Sequence, residues 1–547
     1  MTRKLIALVV AMAVIFTVFA GCGEKAASNP SSALDNPTAQ ASINDSDSGK
    51  SSVIVAIQQD AEPASGFDPI MGWGSSQNDP LIQSVLVNVQ DDVSIACDLA
   101  TEYAVSDDGL VWTFKLRPGV KFTDGTALTS KDVAFTFNTA KSTVSSRDLS
   151  MFDKAEVVDD TTVELILNKP YSPFIYIVAC TGIVPEHAYD AATYGGNPIG
   201  SGPFILKQWD KGEQVIFEAN PDYYGEASRI KQLTVVFMTE EAAYAACQAG
   251  QIDIAYSSAS YTQAPISGYE IIPFKTTDHR ELNLPVIPAG NTVTTINGDK
   301  EVEGGNDVTS NLAVRQAISY AIDREKIAEV VFFGYASPAY SASPGLPWEN
   351  EAVKVEYNPE KAKNIMESDG WAKNKDGIYE KDGLVAEISI TCMAEATRQS
   401  ILMAVQEMLG EFGIKINILG GMAWEEIDPT TYSMPNLIGG GAYSPISDIG
   451  RFYTGKNRAV YSNETVDKHM DAGLAANTLE EAYEHFKLAA WDGTTGYITD
   501  GDCPFVFIIT VDAIYFAREG LNVAEEQIIP HDTGWFICDN VNRWTWD

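Results

Sequence analysis

Two hydrophobic periods take turns along the body of this chain, and neither an all-helical nor an all-strand fold accommodates both. In Val111-Trp112-Thr113-Phe114-Lys115-Leu116-Arg117, the residues Trp112, Phe114 and Leu116 share one face by period two, after the turn signal Asp107-Asp108-Gly109. That is a half-buried strand. Pro118-Gly119 and Asp124-Gly125 punctuate the next stretch, and Thr129 with Asp132 three residues on has the form of a capping box opening a helix through Val133 and Phe137. Val314, Ala317, Ile318 and Ala321 then recur at helical spacing, with Asp323 placed to cap a following helix. Asn358-Pro359 opens another helix, through Ala362, Ile365 and Met366, that stops at Gly370. The run Ile401, Leu402, Val405, Met408, Leu409 and Phe412 ends at Gly413, after which Ile414, Ile416 and Ile418 alternate as a strand. Helix-to-strand units of this kind predict an α/β layer architecture whose apolar stripes are mostly core. At 547 residues there is room for about three domains of ~150–200 residues.

Residues 1–51 stand apart. Arg3 and Lys4 precede Leu5 to Ala20, apolar throughout except Thr17 and short of the ~20 residues a spanning helix needs, which reads as a signal peptide over 1–21. Phe19-Ala20-Gly21-Cys22 resembles the lipobox of bacterial lipoproteins, which implies cleavage before Cys22 and its diacylation. Residues 23–51 hold no aromatic residue and are rich in Ser, Ala, Asn and Asp, so 22–51 is expected to be a lipidated flexible tether. No other apolar run approaches spanning length. The expected location is the extracytoplasmic face of a bacterial cell membrane, held by lipid.

Charge and motif content narrow the function. Lys and Arg number 37 against 75 Asp and Glu, a net charge of −38 that becomes −40 once Arg3 and Lys4 leave with the signal. Such a surface repels phosphate backbones, so no nucleic acid partner is expected. Besides Cys22, the cysteines Cys97, Cys180, Cys247, Cys392, Cys503 and Cys538 show no C-x-x-C pair or framework, and free buried thiols are expected over bridges although export permits disulfides. There is no H-E-x-x-H and no G-x-S-x-G. Gly450 to Asn457 differs from a P-loop at one position, where Asn457 replaces the Mg²⁺-binding Ser or Thr, and Pro445 disturbs the strand that should precede it. His187, His279, His469, His485 and His531 include no pair at ligand spacing. The expectation is a binding protein, not an enzyme, with no cofactor and no directly ligated metal.

Leu99 to Asn138 (LATEYAVSDDGLVWTFKLRPGVKFTDGTALTSKDVAFTFN) closely resembles the signature of the family 5 extracellular solute-binding proteins, the peptide and nickel receptors of ABC importers. Four further stretches resemble the family's blocks in order: Pro198–Trp209 with Asn220 to Tyr224, Gln248 to Asp253, Ala313–Arg324 (AVRQAISYAIDR), and Tyr357 to Ala362 leading to Gly370-Trp371. The resemblance implies an α/β, two-lobed periplasmic-binding-protein-like clamshell (type II, cluster C-like) with an extra domain. Lobe I would comprise 52–86, 187–285 and 516–547, the extra domain 87–186 and lobe II 286–515. It also implies a monomer that closes around a ligand and presents it to ABC permease subunits whose ATPases are separate chains. A sensory or adhesive lipoprotein on the same scaffold is the alternative class.

Dipeptide receptors of the family use a cleft aspartate and a cleft arginine. Asp448 is the only acid near the first position, and the arginine position falls near Glu395 in Ala394-Glu395-Ala396-Thr397-Arg398, so cargo longer than two residues is expected. Gly441-Ala442-Tyr443-Ser444-Pro445 resembles the "G-A-P-Y-D-P" stretch of nickel-chelate receptors, with Tyr443 at the cleft tyrosine and glycine where a tryptophan precedes that stretch. An oligopeptide is the leading ligand and a metal–chelator complex the alternative. The candidate ligand-binding residues are Trp73, Arg280, Trp424, Tyr443, Asp448 and Arg451. Core packing competes with this role for Trp73 and Trp424, and surface placement for Arg280, Asp448 and Arg451. A buried Arg280 would require a ligand carboxylate or a protein acid as its partner.

Overall fold

The computed structural model describes residues 49–74, 81–143, 147–441, 444–524, 528–530 and 534–547, with the side chain of Asp448 also outside the description. The signal segment, tether residues 22–48 with Cys22, Tyr443 and His531 lie outside the described residues, whereas Lys50, at the end of the expected tether, ion-pairs with Asp253 at 2.6 Å. Among those described, no helix is long and apolar enough to cross a membrane.

A seven-stranded sheet runs in the order Tyr269–Phe274, Ala513–Arg518, Ile254–Ser257, Ser52–Gln58, Gln232–Met238, Gln214–Ala219, Phe204–Asp210. Ser52–Gln58 pairs in parallel with both of its neighbours, and its Val53, Val55 and Ile57 are buried. A six-stranded sheet runs in the order Ala336–Pro338, Phe505–Val511, His279–Asn283, Asn436–Gly440, Glu387–Met393, Lys415–Met422. Here the helix Ala396–Phe412 connects the parallel strands Glu387–Met393 and Lys415–Met422 as a βαβ unit. Gly413, at φ +115°, caps that helix in the left-handed region. The chain passes between the two sheets twice, through Lys275–Asp278 and through Asp512.

A four-stranded antiparallel sheet, in the order Ala100–Val105, Val111–Leu116, Thr162–Leu167, Phe152–Asp159, packs against the helix Ser130–Ser142. The expected details hold here. Trp112, Phe114 and Leu116 are buried in alternation. Thr129 Oγ1 accepts from Lys131 N–H, and Asp132 Oδ2 accepts from Thr129 N–H at 2.9 Å. Asp323 caps the helix Arg324–Phe332, and Asn358 caps Pro359–Ser368.

The buried core of the four-stranded unit is continuous with the antiparallel helices Glu464–Leu474 and Leu479–Ala490. Ser172 donates through N–H to Leu474 O and through Oγ to Gly473 O, each at 2.8 Å. The Tyr176 and Tyr483 hydroxyls share a hydrogen bond, and both rings pack against Trp348.

The two arginines of AVRQAISYAIDR are buried and bonded to backbone carbonyls. Arg315 donates to Thr309, Ser310, Asp502 and Cys503 oxygens. Arg324 donates to Ala339 O at 3.1 Å, Phe507 O at 2.8 Å and Ser319 O at 2.9 Å, and its burial lowers its pKa to about 10. These cations tie a helix pair to the strand Phe505–Val511 and its approach, a scaffold task.

The cysteines Cys97, Cys180, Cys247, Cys392, Cys503 and Cys538 are free. Five are buried, while Cys97, in a short hairpin, is exposed.

Candidate functional site

Open α/β sheets form their ligand crevices beyond the carboxyl ends of the strands, where neighbouring strands part. Asn436–Gly440 meets Glu387–Met393 only through Asn436 and Thr391, although its other edge pairs with His279–Asn283 along its full length. Past that point the second edge of Leu437–Gly440 has no strand partner among the described residues. A pocket of about 490 Å³ opens there, lined by Leu437, Ile438 and Gly439, by Met393 at its strand's end, and by Arg398, Trp424, Ser447, Arg451, Lys456, Asn457, Arg458 and Phe505.

Trp424 and Arg451 are thus brought together on one wall. Trp424 begins a one-turn helix and is half-buried, with the Arg458 guanidinium 5.1 Å from its ring centre. Arg451 follows the short helix Pro445–Ile449 and ion-pairs with Glu281 on the neighbouring strand. Glu281 is fully buried and also lies 3.2 Å from His279. Burial alone would raise its carboxyl pKa, but His279 first and then Arg451 outweigh that and hold it below the ordinary carboxylate range.

Arg280 is 5% exposed, and its partner is a protein acid: Nη2 donates to Asp278 Oδ2 at 3.0 Å and Nη1 bonds the same carboxylate. Its side chain crosses Gly439, where a Cβ would sit 2.1 Å from His279 O and 2.8 Å from Arg280 Cδ. At Gly441 a Cβ would fall 2.0 Å from Pro530 O and 2.6 Å from Thr277 Oγ1. The glycines therefore let the crossover segment approach this strand. Trp73 lies away from the pocket, in an aromatic cluster with Phe67 at 4.8 Å and Trp535 at 5.2 Å. Its Nε1 is buried without a partner among the described residues. Asp448 lies in the helix Pro445–Ile449.

Arg398, Lys456 and Arg458 are pocket residues that the residue-by-residue reading does not single out. Arg398 stands one helical turn from Glu395 and pairs with it at 2.6 Å, so the guanidinium enters from a position three residues beyond the one the dipeptide receptors suggest. Arg451, Lys456 and Asn457 all fall within the stretch that resembles a P-loop, but a helix precedes it, not a strand. His469 and His485, far apart in sequence, sit with ring centres 6.3 Å apart on the paired helices. Among the described residues no group of three or more His, Cys, Asp or Glu side chains is placed to hold a metal ion.

The sequence profile described as "Bacterial extracellular solute-binding proteins, family 5 Middle" matches residues 94–460. The oligopeptide-binding protein AppA of Bacillus subtilis is 27% identical over 426 residues, covering 72% of this chain and 76% of AppA. Among solved structures, NikZ from Campylobacter jejuni in complex with Ni(L-His) superposes with a TM-score of 0.70 at 24% identity, covering 91% of this chain and 99% of that one. AppA from Bacillus subtilis in complex with a nonapeptide does so with 0.65 at 23%, again covering 91% and 99%. The likeness to these structures establishes the two-lobed fold.

Proposed function

Since this chain belongs to family 5 of the bacterial extracellular solute-binding proteins, we propose that it is the receptor of an ABC importer for oligopeptides longer than two residues. The observation that carries this reading is the edge of Leu437–Gly440 that has no strand partner among the described residues, three of whose residues, Leu437, Ile438 and Gly439, line the pocket. An extended peptide can add to such an edge through its backbone, gaining affinity with little demand on its side chains. The AppA relative is named for oligopeptide binding, which supports the same reading.

In this proposal 87–186 is the extra domain, and the lobe boundaries expected at 285/286 and 515/516 move to the sheet crossovers, because His279–Asn283 belongs to the six-stranded sheet and Ala513–Arg518 to the seven-stranded one. The hinge is that pair of crossovers, Lys275–Asp278 and Asp512. Lys275 and Asp512 join them by an ion pair at 2.9 Å. The contacts of Ser172 and Tyr176 with the helices Glu464–Leu474 and Leu479–Ala490 belong to the closed state and help the ligand to select it. A lipid on Cys22 and the tether keep the monomeric receptor near its permease, whose ATPases are separate chains.

Mass spectrometry of cargo co-purified from the native host tests the ligand class. A mixture of peptides of three residues or more is expected. A single metal–chelator mass with stoichiometric nickel would overturn the peptide reading. Cys22→Ala followed by membrane fractionation tests the anchor: the variant should leave the membrane fraction, and retention there would refute lipidation.

A further inference from the structure

In a chain with twice as many acids as bases, the described wall of this pocket carries Arg398, Arg451, Lys456 and Arg458 and no acid. Glu395, Glu281 and Asp428 stand behind it, each pairing with one arginine. Lys456, at the exposed rim, has no acidic partner among the described residues. Four cations therefore face three carboxylates. Glu395 and Asp428 have side chains 44% and 36% exposed, so water screens their charge from the pocket interior.

The supply of donors points the same way. Arg398 is 6% exposed and gives Nε to Glu395, yet its Nη1 is buried with no acceptor among the described residues. Arg451 commits Nη1 to Glu281, and Arg458 commits Nε and Nη2 to Asp428. Their remaining N–H groups and the Lys456 ammonium have no acceptor among the described residues. The Arg458 guanidinium lies 5.1 Å from the centre of the Trp424 ring. A buried N–H with nothing to donate to is a standing cost that an incoming oxygen removes. One carboxylate offers two oxygens, enough for Arg398 alone.

We propose that this pocket seats a doubly anionic end of the ligand, either the paired carboxylates of a peptide ending in an acidic residue or a phosphomonoester. The inference rests on the receptor reading above and adds to it a charge requirement on the cargo. Bidentate bonds from Arg398 would fix the first anionic group, and Lys456 with the free N–H of Arg458 the second.

The test uses the full chain in detergent and four random hexapeptide pools: ending in Glu with a free carboxylate, in Gln with a free carboxylate, in Gln amide, and in phosphoserine amide. Tryptophan fluorescence titration should show the Glu pool binding at least ten-fold tighter than the Gln amide pool, with Gln acid between. The phosphoserine pool separates the two sources of dianion. Lys456→Gln, a substitution at an exposed position that spares the core, should narrow the ten-fold gap to about three-fold. Equal affinities for all pools would overturn the charge requirement and leave the receptor reading standing. If no pool binds, citrate and inorganic pyrophosphate decide: a rise in melting temperature that K456Q abolishes would uphold the anion seat and reject peptide cargo. No rise would overturn the seat as well.

Discussion

Removing one oxygen, by Tyr176→Phe, separates a closing contact from a static one. The Tyr176 hydroxyl bonds that of Tyr483, across the junction between the segment 87–186 and the helix Leu479–Ala490. A neutral hydrogen bond of this kind contributes ~1 kcal/mol net. If it forms only when the lobes close, its loss leaves the open form untouched and raises the free energy of the closed form by that amount. The apparent Kd for peptide then rises about five-fold, since 1.4 kcal/mol corresponds to ten-fold. The open, ligand-free form does not contain this bond, so its melting temperature should not move. Tyr483→Phe should reproduce the effect, and the double variant should add nothing to it, because one bond can be lost only once. Fluorescence titration and thermal melts of the three variants suffice. An unchanged Kd together with a ligand-free protein that melts several degrees lower would show that these helices and the four-stranded unit move as one body, and would refute this placement of the closing surface.

Gly441→Ala should lower the melting temperature and weaken binding together, because the new Cβ meets Pro530 O at 2.0 Å and overpacking costs ~1–3 kcal/mol; indifference to the methyl would mean that the crossover is slack. Arg324→Met should cost ~3–5 kcal/mol in urea unfolding, since four carbonyls lose a buried cationic donor, and a shift under 1 kcal/mol would refute its scaffold role. Asp98, whose pKa burial raises to about 6 against the Tyr224 hydroxyl that donates to it at 2.8 Å, binds its proton more tightly folded than unfolded. Its contribution to stability is therefore greatest below pH 4 and declines as pH rises from about 4 to 6. Asp98→Asn should flatten that part of the melting-temperature profile, and an unaltered slope would count against the assignment.

The strong local signals read correctly from sequence because local chemistry decides them. The alternation from Val111 to Leu116, the Thr129–Asp132 box and the glycine stop at Gly413 each depend on neighbours within a few residues. The pocket depends on distant ones. Arg398, Trp424, Arg451 and Arg458 come from three stretches of chain, and no spacing rule joins a helix start, a one-turn helix and the segment after Ile449 that meet only where a parallel strand diverges. Arg280 shows the limit of reading a buried cation from sequence: its counter-ion is Asp278, two residues earlier on the same chain, close enough to have been foreseen. Of the tryptophans singled out from sequence, Trp424 lines the pocket with Arg451, whereas Trp73 packs in the aromatic cluster beside Phe67, a difference set by contacts distant in sequence.

The order of the strands has a consequence for how such a chain is made. Phe505–Val511 is interior to the six-stranded sheet, and Ala513–Arg518, separated from it by one residue, is interior to the seven-stranded one. Both are almost wholly buried, and both follow every strand they pair with. A polypeptide emerging amino end first can complete neither sheet until residues 505–518 have arrived, so the loop closures that finish both sheets wait for one and the same segment. An export machine that threads unfolded chains would meet no finished lobe blocking its channel. For the same reason, a nonsense codon just ahead of Phe505 would deprive both sheets of an interior strand at once.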